Sequence, residues 1–361
     1  MFFMEEGVGE GGINYYLLAL SSTKNVKERN CIFYFENYFM THLICVAPMM
    51  NCTDRHDRYF LRLIAPHVRL YTEMVVVNAL AHRDPRRWLA FHPQEHPVAL
   101  QLGGSDPKLL AYGAKLGTEF GYDEINLNVG CPSPRVSNGR FGACLMLEPN
   151  LVAESVASMK AVTSIPVTVK CRIGIDHQDS YEALHQFIEK VSQAGCSIFI
   201  IHARKAWLSG LNPKENRTLP PLQYEVVHRI KKDFPHLQII INGGFKALAE
   251  IETELDFVDG VMIGRAAYSD PYFLSEIERK LFPGTTVRTR EQVLAEFIPY
   301  LAEQLKNHIR LSTITRHILG LYRGQPGALA WRRYISEHAH KTNAGVEVLL
   351  NAPHGLAGSR S

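Results

Sequence analysis

Short apolar, β-branched runs recur along this chain at 43–49, 69–76, 97–103, 124–129, 166–171, 197–203, 237–241 and 260–263. Most are flanked by Gly or Pro and are too uniformly apolar for a half-exposed strand, so they read as strands buried on both faces. Between most of them lie segments with helical spacing of apolar positions, at 54–64, 107–120, 151–162, 181–194 and 222–233. Eight strands alternating with helices give either a barrel or a doubly wound sheet. A doubly wound sheet would carry a dinucleotide fingerprint. Gly7, Gly9 and Gly12 match its spacing, but no strand precedes them. The count of eight then favours an α/β fold of the (β/α)8 TIM barrel type.

The pattern changes at both ends. Residues 1–40 show no sustained period, and Met40 opens directly into the first strand. They are expected to be an N-terminal extension, either disordered or a start-site artefact. The barrel is expected over 41–284. Asp270 and Pro271 predict the N-terminus of its last helix, which Pro283 and Gly284 break. Thr289 and Gln292 have capping-box spacing and open a helical segment. A second, all-helical domain is therefore expected over 285–342, and a disordered tail over 343–361.

Composition narrows the class. The 361 residues are 46% apolar and 21% charged, as in ordinary globular proteins. No stretch approaches the ~18 apolar residues of a membrane span. The seven cysteines are odd in number and form no C-x-x-C pair, which argues against a disulfide framework and a zinc site. A cytoplasmic monomer without metal is expected. The net charge of +3 is small, but 287–341 hold nine Lys and Arg against four Glu. Charge alone fits a nucleic-acid face and a solvated helical face equally.

Barrel active sites lie at the C-terminal ends of the strands. There the runs place Pro48, Met49 and Met50, then Gln101, then Asn126, Asn128 and Cys131. Lys170 and Arg172, His202 and Arg204, Asn242, Gly243 and Gly244, and Gly264 and Arg265 follow. One polar residue at a strand end is usually a satisfied structural partner, but polar or glycine-rich ends on six of eight strands point to a site. The glycines after runs seven and eight, with Arg265, suit a phosphate, and a phosphorylated cofactor such as FMN fits there.

The stretch NLNVGCPSP, from Asn126 to Pro134, resembles the tRNA-dihydrouridine synthase family. The likeness spans about 43–340 and includes APM at 47–49, VKCRIG at 169–174, IHAR at 201–204 and NGG at 242–244. TDRH at 53–56, HARKA at 202–206, LNPKENR at 211–217 and 326–333 resemble the A-type, which modifies D-loop positions 20 and 20a. The resemblance implies FMN held by Pro48, Met49, Met50, Gln101, Lys170, His202, Asn242, Gly243, Gly244, Gly264 and Arg265. It implies NADPH as reductant, hydride delivery to uracil C6, and Cys131 as the acid that protonates C5. It places tRNA against Asn128, Arg204, Lys214, Arg217 and the helix of Trp331, Arg332 and Arg333. Leu329 departs from the pattern, standing where the A-type has an arginine. A dihydroorotate-type dehydrogenase and an RNA-binding barrel without catalysis are the alternatives.

Overall fold

The computed structural model describes residues 42–353. Its strands are β1 (Ile44–Val46), β2 (Leu70–Tyr71), β3 (Val75–Val76), β4 (Val98–Gly103), β5 (Glu124–Val129), β6 (Val167–Arg172), β7 (Ile198–His202), β8 (Gln238–Asn242) and β9 (Gly260–Ile263). All pair in parallel, in the order β1-β9-β8-β7-β6-β5-β4-β2, with β3 also on β4. The ring comes together where Val46 N–H donates to the Arg69 carbonyl and Arg69 N–H to the Ile44 carbonyl, both at 2.9 Å. This is the expected (β/α)8 barrel. The second stave is split into β2 and β3, because Gln101 N–H bonds the Thr72 hydroxyl (3.0 Å) and interrupts the ladder there.

Side chains alternate inward and outward along each strand. On one side the interior is apolar, with Cys45, Ala47, Ile198, Ile200, Ile240 and Met262 packed together. Across β4, β5 and β6 it is polar. The register sets Gln101 beside Asn126 and Asn126 beside Thr168, with Asn128 beside Lys170 nearer the strand ends.

Asp54, Asp106 and Ser180 cap the helices Arg55–Ile64, Pro107–Glu119 and Tyr181–Gln193, each side-chain oxygen accepting first-turn N–H groups. The capping box of Thr289 and Gln292 forms and starts the helix Arg290–Lys306. The last barrel helix, Phe273–Leu281, begins beyond Asp270 and Pro271, because Phe273 N–H bonds the Asp270 main-chain carbonyl. Helix Arg290–Lys306 packs on Arg55–Ile64. Tyr300 stacks on Tyr59 with centroids 3.8 Å apart, and its hydroxyl meets His56 Nδ1 at 2.7 Å. The Asp54 carboxylate adds Arg316 (2.7 Å) and His317 (3.0 Å) to this junction.

Two expectations change at the C-terminal end. The disordered tail is corrected over 343–353, where the helical turn Glu347–Leu350 buries Val348 and Leu349. Removing that apolar pair from water favours an ordered end. Trp331, implied as part of an RNA-facing helix, is fully buried edge-on to Tyr322 (4.9 Å), and its Nε1 donates to the Ile318 carbonyl (3.3 Å). Trp331→Ala is expected to cost about 3–5 kcal/mol, measured as a lower urea midpoint. A loss below about 1 kcal/mol would contradict its role in the core. The expectations for 1–40 and for the last residues of the tail lie outside the described residues. No helix among the described residues is long and apolar enough to cross a membrane.

Candidate active site

The loop after β5 presents Cys131. Asn128 Oδ1 accepts the N–H groups of Gly130 (3.1 Å) and Cys131 (3.0 Å), clamping the turn. The Cys131 carbonyl accepts Ala143 N–H at 2.9 Å. Gly142, at φ 74°, makes that approach possible, since a Cβ there would lie 2.6 Å from the same carbonyl. The Cys131 thiol is partly exposed, with Sγ 3.6 Å from Ser133 Oγ. Cys45, Cys171 and Cys196 are buried, and burial pushes the last two up to about 12, so they stay protonated and inert.

Lys170, Arg172 and Arg217 lie close enough to this thiol to interact with it electrostatically. Lys170 Nζ donates to Asn242 Oδ1 (3.0 Å), and Asn242 Nδ2 is fixed on the Met262 carbonyl (2.7 Å). Burial, reinforced by Arg172, pulls the Lys170 ammonium down to about 8. Arg172 is 3% exposed and bridges the loops after β5 and β7, reaching the carbonyls of Gly130 (2.9 Å), Lys205 and Asn216 (both 3.0 Å). Arg265 reaches the Arg217 carbonyl (3.2 Å), and burial, with the charge of Arg265 added, holds Arg217 and Arg204 below the usual guanidinium range. His202 is held well below the imidazole range by burial and then by Arg172, Lys170, Arg204 and Arg265, so it is neutral at physiological pH. Among the described residues, none of Lys170, Arg172, Arg204, Arg217 and Arg265 has a carboxylate partner. Five mutually repelling cations without counter-charge need an anion to sit comfortably.

Gly243 and Gly244 shape the floor of that anion site. They adopt φ of 138° and 83°, and a Cβ on Gly243 would stand 3.2 Å from the His202 ring. Pro48 and Met49 lie partly exposed above β1, and Met50 is exposed. Gln101 lies deeper than expected. It is 1% exposed and both ends of its amide are bonded, to Asn126 and Asn128 (2.8 Å each), leaving one amide hydrogen for a ligand. Arg204 does not share a strand face with His202. β7 stops at His202, and Arg204 turns to the Pro220 carbonyl. Lys214 and Arg217 are exposed on the adjoining loop, and Arg332 and Arg333 on the distant helix Ala328–His338. Arg172 was legible only as a strand-end cation, and its bridging role depends on carbonyls 42 residues before it and 44 after it.

A family model described as "Dihydrouridine synthase (Dus)" matches residues 45–354. The chain belongs to the dihydrouridine synthase family. It is 58% identical over 317 residues to the tRNA-dihydrouridine(20/20a) synthase of Vibrio cholerae, covering 87% of this chain and 97% of that protein. It is 56% identical over 309 residues to the Escherichia coli protein of the same name (85% and 89% covered). The one from Synechocystis sp. is 54% identical over 310 residues (86% and 93%). In this dihydrouridine synthase, then, a partly exposed thiol, a neutral imidazole and an unpaired cationic rim meet at the barrel mouth.

Proposed function

We propose that the protein reduces the C5–C6 double bond of uridine at positions 20 and 20a of the tRNA D-loop, using FMN and NADPH. The observation that carries this is the ring of five cations at the barrel mouth without counter-charge among the described residues, three of which, Lys170, Arg172 and Arg217, lie near Cys131. That ring suits both a phosphorylated cofactor and the backbone of an RNA.

The residues present fit FMN. Gly243, Gly244, Gly264 and Arg265 would receive its phosphate, where a Cβ on Gly243 would crowd the His202 ring. Lys170, His202, Gln101, Asn242 and the turn of Pro48, Met49 and Met50 would surround its ring system. When bound, FMN supplies the hydride. Lys170, held by Asn242, places positive charge where negative charge develops. Neutral His202 offers one donor and one acceptor without adding charge. Cys131 delivers its proton to C5 of the uracil, for which a partly exposed thiol on a clamped loop is suited.

Reaching the uracil requires the base to leave its stack. Arg204, Lys214 and Arg217 would hold the flanking phosphates at the mouth, and Arg332 and Arg333 more distant ones. The segment 285–342 acts as the tRNA-binding domain of a cytoplasmic monomer. Asn128 serves through its grip on the Cys131 loop, since its amide is already engaged with Gln101 and that loop. Dihydrouridine mapped in tRNA from cells lacking this chain should be absent at positions 20 and 20a and return on complementation. Full modification at both positions without the chain would refute the assignment.

A further inference from the structure

A line of side-chain hydrogen bonds crosses the barrel interior and ends on the Cys131 loop. At its foot is Glu124, fully buried on β5. Burial opposes its charge, but His42 (2.6 Å) and Arg69 (3.3 Å) outweigh burial and hold the carboxyl down at about 2. A carboxylate can only accept. The Thr168 hydroxyl therefore donates to Glu124 Oε1 (2.5 Å), as the Tyr71 hydroxyl does (3.0 Å). Thr168 Oγ1 is then the acceptor for Asn126 Nδ2 (2.8 Å). Asn126 Oδ1 accepts Gln101 Nε2, and Gln101 Oε1 accepts Asn128 Nδ2, both at 2.8 Å.

The upper end makes the same demand independently. Gly130 and Cys131 present backbone N–H groups, which only donate, so Asn128 must turn its oxygen toward them. That choice sends Nδ2 to Gln101 and propagates downward in the sense that Glu124 imposes from below. Turning one amide over would set donor against donor at one contact and acceptor against acceptor at the next. Asn126 and Thr168 are fully buried, and Gln101 and Asn128 are 1% and 8% exposed. Water therefore cannot repair a mismatch.

We propose that Thr168, Asn126 and Gln101 are positioning residues for Cys131: a polar ladder anchored on Glu124 orients the Asn128 amide and thereby holds the Cys131 backbone in place. The effect on the loop stands on the geometry alone, whereas the effect on turnover rests on the proposed role of Cys131.

The test measures amide hydrogen exchange and dihydrouridine formation in the parent protein, Thr168→Val and Thr168→Ser. Valine keeps the volume and removes the hydroxyl that links Asn126 to Glu124. Exchange at the Gly130 and Cys131 amides should rise about fivefold, while the amides of Ile125 and Leu127 on the same strand stay within about twofold. With tRNA as substrate, kcat should fall at least about fivefold with KM within about twofold. Serine restores the hydroxyl and should rescue both readouts. Gln101→Met cuts the ladder from a different strand and should accelerate the same two amides, which covers failure of Thr168→Val to fold. Unmoved amides in either folded cut, or a serine variant as fast as the valine one, would overturn the ladder. Accelerated amides in a chain whose parent forms no dihydrouridine would keep the ladder and refute the proposed function instead.

Discussion

Cys131→Ala is expected to lower dihydrouridine formation by about 10²- to 10⁴-fold while flavin content and tRNA affinity stay within about twofold of the parent. The split follows from how the loop is held. Asn128 grips it through the backbone N–H groups of residues 130 and 131, and Ala143 grips it through the carbonyl of 131. Alanine keeps all three bonds and gives up only the thiol and its long contact with Ser133. The loss is thus confined to proton delivery and corresponds to about 3–5 kcal/mol of barrier. Single-turnover oxidation of the reduced enzyme by tRNA, with dihydrouridine counted in the product, measures it directly. An alanine enzyme within about threefold of the parent would exclude Cys131 as the acid.

Lys170→Met should separate stability from function. Burial makes the Lys170 ammonium costly in the ligand-free fold, and the neighbouring Arg172 adds to the cost. Its folded pKa, about 8, lies below its ordinary value of 10.5. Between those two pH values the unfolded chain holds a proton that the folded chain has released, so stability rises with pH across that window. Below pH 8 the penalty is fully present. Methionine of similar length removes it, so the melting temperature of the ligand-free variant at pH 7 should equal or exceed that of the parent. Dihydrouridine formation should nevertheless fall about 10²-fold, because the positive charge aimed at the cofactor is gone. Flavin titration of the ligand-free parent should show affinity dropping by up to about tenfold per pH unit above pH 8, and the methionine variant should show no such slope. A variant that melts well below the parent, or keeps the slope, would remove Lys170 from the anion site.

The barrel was legible because parallel strands buried on both faces write themselves as continuous apolar runs, as at 237–241 and 260–263. The split second stave was not, since it turns on one hydroxyl of Thr72 intercepting the main chain of Gln101. Cys131, Lys170, His202 and the paired glycines stood out as polar or glycine-rich strand ends, and the structure gathers them. The support beneath them was hidden. Glu124 and His42 are 82 positions apart, and nothing local marks them as partners. Trp331 lies in the helix that the resemblance places against tRNA, yet its own side chain belongs to the core. Arg332 and Arg333 are exposed, while the helix turns the tryptophan to the opposite side. Leu329 leaves an apolar side chain 81% exposed, and no contact among the described residues explains it.

The stacked pair of Tyr59 and Tyr300, with Asp54 bound to Arg316 and His317 beside it, joins the helical segment to the first barrel helix through aromatic and ionic contacts together. A joint of that kind does not swivel freely, so the helix Arg290–Lys306 is held to the barrel at a set angle. Under the proposed function, a tRNA gripped on the helical segment would present its D-loop to Cys131 from one direction. Under that function, loosening the Tyr300 joint would broaden the choice among the uridines of the D-loop.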